Sequence, residues 1–161
     1  MENQTQLKAE EGKQEFFVTR TFNAPPPLVF RAFSEEKLFV QWFLPVEMNM
    51  NIEKMECNPG GSYYHTHPGP DGKLLGFKGV YHEVIPGELI IKTSEFFGLP
   101  YKLDPVLEFI TFHELSENKT KLTIHAICPS VEYRDNMISA AMEPTIIKTH
   151  QQLDRLLEKL T

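Results

Sequence analysis

Two cysteines among 161 residues are too few for a disulfide framework, and Cys57 and Cys128 lack the spacing of a metal site. They read as reduced, buried thiols of a cytoplasmic protein. Basic charge is also scarce: 16 Lys and Arg stand against 22 Asp and Glu, for a net charge of −6. A protein that grips a phosphate backbone needs a basic face, and no Lys/Arg cluster supplies one, so nucleic acid is excluded as a partner. Long apolar runs are missing too. Met1 to Lys13 is polar, without the apolar segment of a signal peptide or a membrane span. It reads as a disordered arm ahead of a single domain over residues 14–161, and no membrane partner is expected. Covalent chemistry has no foothold. Ser62, Ser94 and Ser130 lack a strand-to-helix elbow, and neither cysteine has an activating neighbour in sequence. Gly60-Gly61 lacks the Lys-Ser/Thr of a phosphate loop and opens a strand rather than a helix, so a bend with positive φ explains it better. No cofactor is expected.

What the chain does have is aromatic and hydrophobic periodicity. Gln14 to Phe22 alternates as a strand, and Asn23-Ala-Pro-Pro-Pro27 ends it and leads into a helix carrying Leu28, Val29, Ala32 and Phe33. Ser34 is placed as the N-cap of a second short helix to about Gln41. Met48, Met50, Ile52 and Lys54 then alternate as an extended segment. Hairpins follow at His67-Pro-Gly-Pro-Asp-Gly72, Ile85-Pro-Gly87 and Ser116-Glu-Asn118. Val131 to Ser139 predicts a short helix. Met142, Ile146, Thr149, Leu153, Leu156, Leu157 and Leu160 predict a long one with a single buried face and Pro144 in its first turn. One strand, two short helices, six strands and a long helix make an α+β fold built on antiparallel hairpins.

Four motifs occur in a fixed order: Arg20-Thr-Phe-Asn-Ala-Pro25, Trp42-Phe-Leu-Pro45, Asn58-Pro-Gly-Gly-Ser-Tyr63 and Gly76-Phe-Lys-Gly-Val-Tyr-His-Glu-Val84. With the C-terminal amphipathic helix, the set resembles the homologues of the activator of Hsp90 ATPase, within the Bet v 1/START-like superfamily. The resemblance runs from about Phe16 to Leu160. It implies a helix-grip fold, a curved antiparallel sheet around a long C-terminal helix with a cavity between them. It also implies a small apolar or aromatic ligand in that cavity, or Hsp90 as a protein partner. The eukaryotic activator carries an additional N-terminal domain, whereas this chain has only Met1 to Lys13 ahead of the fold.

Within that frame, Tyr63, His65 and His67 share one face of a strand, and the resemblance makes that face the inward one. Two histidines of this spacing need a third ligand to hold a metal, and the cupin pattern that would supply it is absent, so no metal is assigned. Glu108 shares parity with Val106, Ile110 and Phe112. A carboxylate on so apolar a face either meets a partner or has its pKa raised by burial, unless the face reaches water there. Glu108 and His65 are thus the candidate acid–base pair of a cavity enzyme. Trp42 reads as a core anchor near one end of the cavity. Tyr63, His65, His67, Tyr81, Phe96, Phe97, Phe112, Trp42, Glu108 and Ile146 are the expected lining. Twelve phenylalanines favour a cavity walled by aromatic rings, and the leading expectation is binding of an apolar or aromatic molecule.

Overall fold

Every second residue of Glu15–Phe22 is buried: Phe16, Val18, Arg20 and Phe22. Such a period of two gives a strand one covered face. In the computed structural model, which describes residues 3–161, this segment is β2 of an eight-stranded antiparallel sheet. Gln6–Lys8 is β1, and six further strands are β3 (Asn51–Met55), β4 (Ser62–Pro68), β5 (Leu74–Ile85), β6 (Leu89–Phe97), β7 (Val106–Ser116) and β8 (Lys119–Ile127). Their order across the curved sheet is β1-β2-β8-β7-β6-β5-β4-β3. The run from β3 to β8 is therefore a meander, with β2 added beside β8. The tight turn that opens β4 needs Gly60, whose φ of +85° favours a residue without a Cβ.

Four helices complete the α+β fold: α1 (Pro26–Ser34), α2 (Glu36–Phe39), α3 (Val131–Ser139) and α4 (Met142–Leu160). Proline sits in the first turn of α1 and of α4, where its missing N–H costs no helical bond. α4 buries Thr149, His150, Gln152, Leu153, Leu156 and Leu157. Its leucines join Phe22, Ile90, Ile110 and Leu122 of the sheet and Val29, Phe30 and Phe33 of α1 in the main core. A second cluster of Phe16, Val18, Val106, Ala126 and Cys128 receives Met142 and Ile146 from the start of α4. The sheet thus grips the long helix.

Three local expectations are corrected. The polar arm is ordered over Gln6–Lys8, which pair with Phe17 to Thr19; the first two residues lie outside those described. Polarity did not prevent this, because the backbone pairs and side chains from the body hold the segment. Arg20 donates to Thr5 Oγ1 at 3.2 Å, Thr5 Oγ1 meets His150 Nδ1 at 2.8 Å, and Arg134 donates to the Glu10 carbonyl at 2.6 Å. Ser34 closes α1 rather than capping α2. Glu35, in extended backbone, separates the two helices. In β3 a bulge between Ile52 and Lys54 shifts the alternation, so that Ile52 faces His65 and Met55, not Lys54, faces Tyr63.

Leu153 is fully buried where α4 meets the sheet. Leu153→Ala is expected to lower unfolding free energy by about 2–5 kcal/mol, measured by urea titration. A change near zero would mean that this face of α4 does not carry the core.

Candidate functional site

Cross-strand register assembles one row on the concave face. Phe16 of β2 pairs with Ala126 of β8, which pairs with Glu108 of β7; Glu108 pairs with Lys92 of β6, and Lys92 with Tyr81 of β5. Lys92 stands between Glu108 and Tyr81 in this row and is 5% exposed. Its Nζ lies 3.9 Å from Glu108 Oε1, beyond hydrogen-bond distance. Three rings surround the ammonium: Tyr63 at 4.8 Å, Phe43 at 5.6 Å and Phe39 at 5.9 Å from their centroids. Such faces attract a cation through the ring quadrupole.

Tyr63 takes this place because its partner across β4 and β5 is Gly79. A Cβ on Gly79 would fall 1.9 Å from the Thr93 carbonyl oxygen and 2.8 Å from the Tyr63 ring. The phenol donates to that same carbonyl at 2.6 Å, which fixes the ring beside Lys92.

His65, two residues along β4, is 1% exposed and sits among Phe43, Phe77, Phe39 and Tyr63, with centroids 5.4 to 5.9 Å away. Neither of its ring nitrogens has a hydrogen-bond partner. Burial disfavours the imidazolium, and the Lys92 and His67 charges add to the effect, lowering its pKa to about 3. His67 is also buried, with Nδ1 unpartnered and its pKa lowered by burial. Its ring lies 6.4 Å from both Phe77 and Phe96. Around Lys92 the acids respond to the same dry environment. Burial raises Glu108, with Lys92 pulling it part of the way back. Burial also raises the Cys57 thiol and the Tyr81 phenol. For Lys92 itself burial acts downward, but Tyr63, Glu108 and Cys57 outweigh it and leave the ammonium raised.

The roof comes from α2 and the turn after it. Trp42 is an anchor: its indole N–H donates to the Ala32 carbonyl at 2.8 Å, and its ring packs on Phe33 at 4.6 Å. Gln152 of α4 holds the following segment, donating to the Trp42 and Leu44 carbonyls at 3.0 and 2.9 Å and accepting from the Val46 N–H at 3.1 Å. These bonds set Phe39 and Phe43 over His65. The interior between roof and sheet is filled by rings. A cleft of about 410 Å³ opens instead between the β4–β5 hairpin tip and the chain after β6, lined by Asp71, Leu75, Gly98 and Leu99. Leu75 is the cross-strand partner of His67, so the cleft borders that end of the face.

Of the residues expected to line one cavity, the fold brings together Tyr63, His65, His67, Tyr81, Phe96 and Glu108. Phe97 is a correction. It lies on the other face of β6, with its ring 4.9 Å from Tyr64 and 5.5 Å from Lys78 Nζ, because adjacent strand residues point oppositely. Phe112 belongs to the core under α1, against Phe30 and Phe33, and Ile146 to the second cluster. Glu108 is not at a wet sheet end: its side chain is 22% exposed and faces Lys92. Sequence reading missed Lys92, Phe39, Phe43 and Phe77. The signal for Lys92 was its parity with Ile90, a lysine on a buried face. The other three rings needed the tertiary fold. Among the described residues, no group of three His, Cys, Asp or Glu stands close enough to hold a metal. Among the same residues, no helix is long and apolar enough to cross a membrane.

Residues 23–160 match the family described as Activator of Hsp90 ATPase homolog 1-like protein. The chain belongs to that family. No curated protein matches the sequence. A crystal structure from Rhodobacter sphaeroides is similar at 19% identity and a TM-score of 0.83, over 98% of this chain and 99% of that one. A solution structure from Arthrobacter aurescens has 20% identity and a TM-score of 0.84, over 96% and 91%. One from Staphylococcus epidermidis has 25% identity and a TM-score of 0.80, over 94% of each chain. These likenesses show the helix-grip fold of the family; what this member's concave face holds is a matter for its own side chains.

The buried histidine makes stability depend on pH. His65 titrates near 6.5 when unfolded and about 3 when folded, so between those values the unfolded chain binds the extra proton. Stability therefore falls as pH drops from about 6.5 toward 3, by up to roughly 1.4 kcal/mol per pH unit for this one group. Urea titrations at pH 7 and 5 should show a smaller loss for His65→Phe than for the parent. An equal loss in both would mean that His65 titrates in the fold as it does in the unfolded chain.

Proposed function

We propose that the protein binds a small, largely apolar or aromatic molecule on the concave face, beneath the roof formed by Phe39 and Phe43. One observation carries the reading: His65 is buried in an aromatic box with both ring nitrogens unpartnered. A buried polar group without a hydrogen bond costs roughly 1–3 kcal/mol, and a ligand that meets the imidazole removes that cost. The rings around it supply the rest, at about 25 cal/mol per Å² of apolar area buried. Because rings fill the space in this structure, the ligand has to displace Phe39 and Phe43. They are carried by a helix of only four residues and the turn after it, and they move aside as side chains, with the Gln152 and Trp42 bonds that hold that segment kept.

Cavity catalysis with His65 and Glu108 as acid–base groups draws on fold-level analogy, as Hsp90 partnership draws on the family description. Neither has a residue in the site that singles it out above ligand binding.

Native mass spectrometry of the purified protein tests for a retained small molecule. Calorimetry with neutral bicyclic aromatics such as 2-naphthamide is expected to show saturable one-to-one binding. His65→Phe, which keeps the ring and removes the nitrogens, should weaken it by about 0.5–1.5 kcal/mol. Equal affinity in parent and variant would place the bound molecule away from His65. Catalysis would show differently: affinity kept, with turnover down by about 10²-fold or more.

A further inference from the structure

Lys92 says more about the ligand than the aromatic walls do, if the concave face is the ligand site proposed above. We infer that the molecule taken there carries an acidic head group, a carboxylate or an enolate, seated on the Lys92 ammonium with its apolar body among Phe39, Phe43 and Phe77. The argument is a count of donors and acceptors. The ammonium offers three N–H donors and no acceptor, and its side chain is 7% exposed. Glu108 is the nearest carboxylate. It stays at 3.9 Å and reaches further toward water, so it neutralises the charge without satisfying the donors at hydrogen-bond distance. The Tyr63 hydroxyl proton is committed to the Thr93 carbonyl, and the ring faces give the ammonium only π contact.

An acceptor-only anion fits this vacancy of acceptors, and the neutral His65 beside it adds one donor and one acceptor to orient the head group. A cationic ligand does not fit, because Lys92 already occupies the aromatic faces that would attract it. A neutral ligand can offer the ammonium a carbonyl acceptor but no charge, and the charge-assisted bond to a carboxylate is the stronger of the two. Placing the anion there makes Glu108 a competitor for Lys92 rather than a ligand contact.

Matched acid and amide probes test this: 2-naphthoate against 2-naphthamide, and cinnamate against cinnamamide, by calorimetry at pH 7. The acids are expected to bind about tenfold or more tightly than their amides, the scale of a hydrogen bond to a charged group. Lys92→Gln should erase that preference, bringing the affinity for each acid down to that for its amide. Glu108→Gln, which removes the competing carboxylate, should hold or widen it. That second variant decides the matter if Lys92→Gln does not fold: a preference narrowed by Glu108→Gln overturns the inference. Amides binding as well as acids, yet still weakened by His65→Phe, would overturn the acidic head group and leave the site. Binding of acid and amide alike that ignores both Lys92 and His65, or no binding of either at millimolar concentration, would overturn both.

Discussion

Gln152 is the constraint on which the arrangement above the sheet depends. The segment from Trp42 to Val46 runs between α2 and β3 with few backbone bonds of its own, yet it carries the roof of the site. One amide on α4 meets three of its main-chain groups, two carbonyls and one N–H, so that all three are paired without water. The long helix is thereby more than a hydrophobic plug. It sets the height and angle of Phe43 over β4, while Trp42 fixes the same segment to α1 through the Ala32 carbonyl. Removing the amide would strand the buried Trp42 and Leu44 carbonyls, each of which costs about 1–3 kcal/mol when unpaired.

Beneath that roof the sheet does something unusual for an interior. A lysine, a glutamate and two histidines share its concave face with aromatic rings, and the charged pair is not in tight contact. Buried ion pairs seldom repay their desolvation, and the orphaned nitrogens of His65 add to the cost. Elsewhere among the described residues only Asn3 Oδ1 and Arg20 Nε are buried without a partner: Thr120 donates to the Ala24 carbonyl at 2.7 Å, and Arg134 donates to the carbonyls of Glu10 and Glu15. Against that background the unpaired groups of one small region stand out. Local inconsistency of this kind concentrates where function is carried, which is the physical reason for reading the concave face as a ligand site.

Much of the architecture was legible in the chain because it rests on periodicity. The α4 stripe, the hairpin turns and the proline-led start of α1 each follow from spacing that few alternative structures could accommodate. The face shared by Tyr63, His65 and His67 was legible for the same reason. Misreadings fell where a single residue changes the count. The bulge in β3 exchanges Lys54 for Met55, and Glu35 rather than Ser34 divides two helices. The ordered β1 strand was hidden because the side chains that fasten its flanks, His150 to Thr5 and Arg134 to Glu10, lie far along the chain.

By itself, then, the sequence determined most of the elements and which face of each is apolar, since these depend on neighbours within a few positions; the helix-grip arrangement was implied by the resemblance that its four ordered motifs carry. Only the tertiary structure decided that Lys92 meets Glu108, that Phe97 leaves the site while Phe43 and Phe77 join it, and that His65 is left without a partner. Those outcomes depend on cross-strand register and on the depth at which α4 draws the Trp42–Val46 segment onto the sheet. Register and depth are set by contacts between residues as much as 110 positions apart, and no local pattern encodes them.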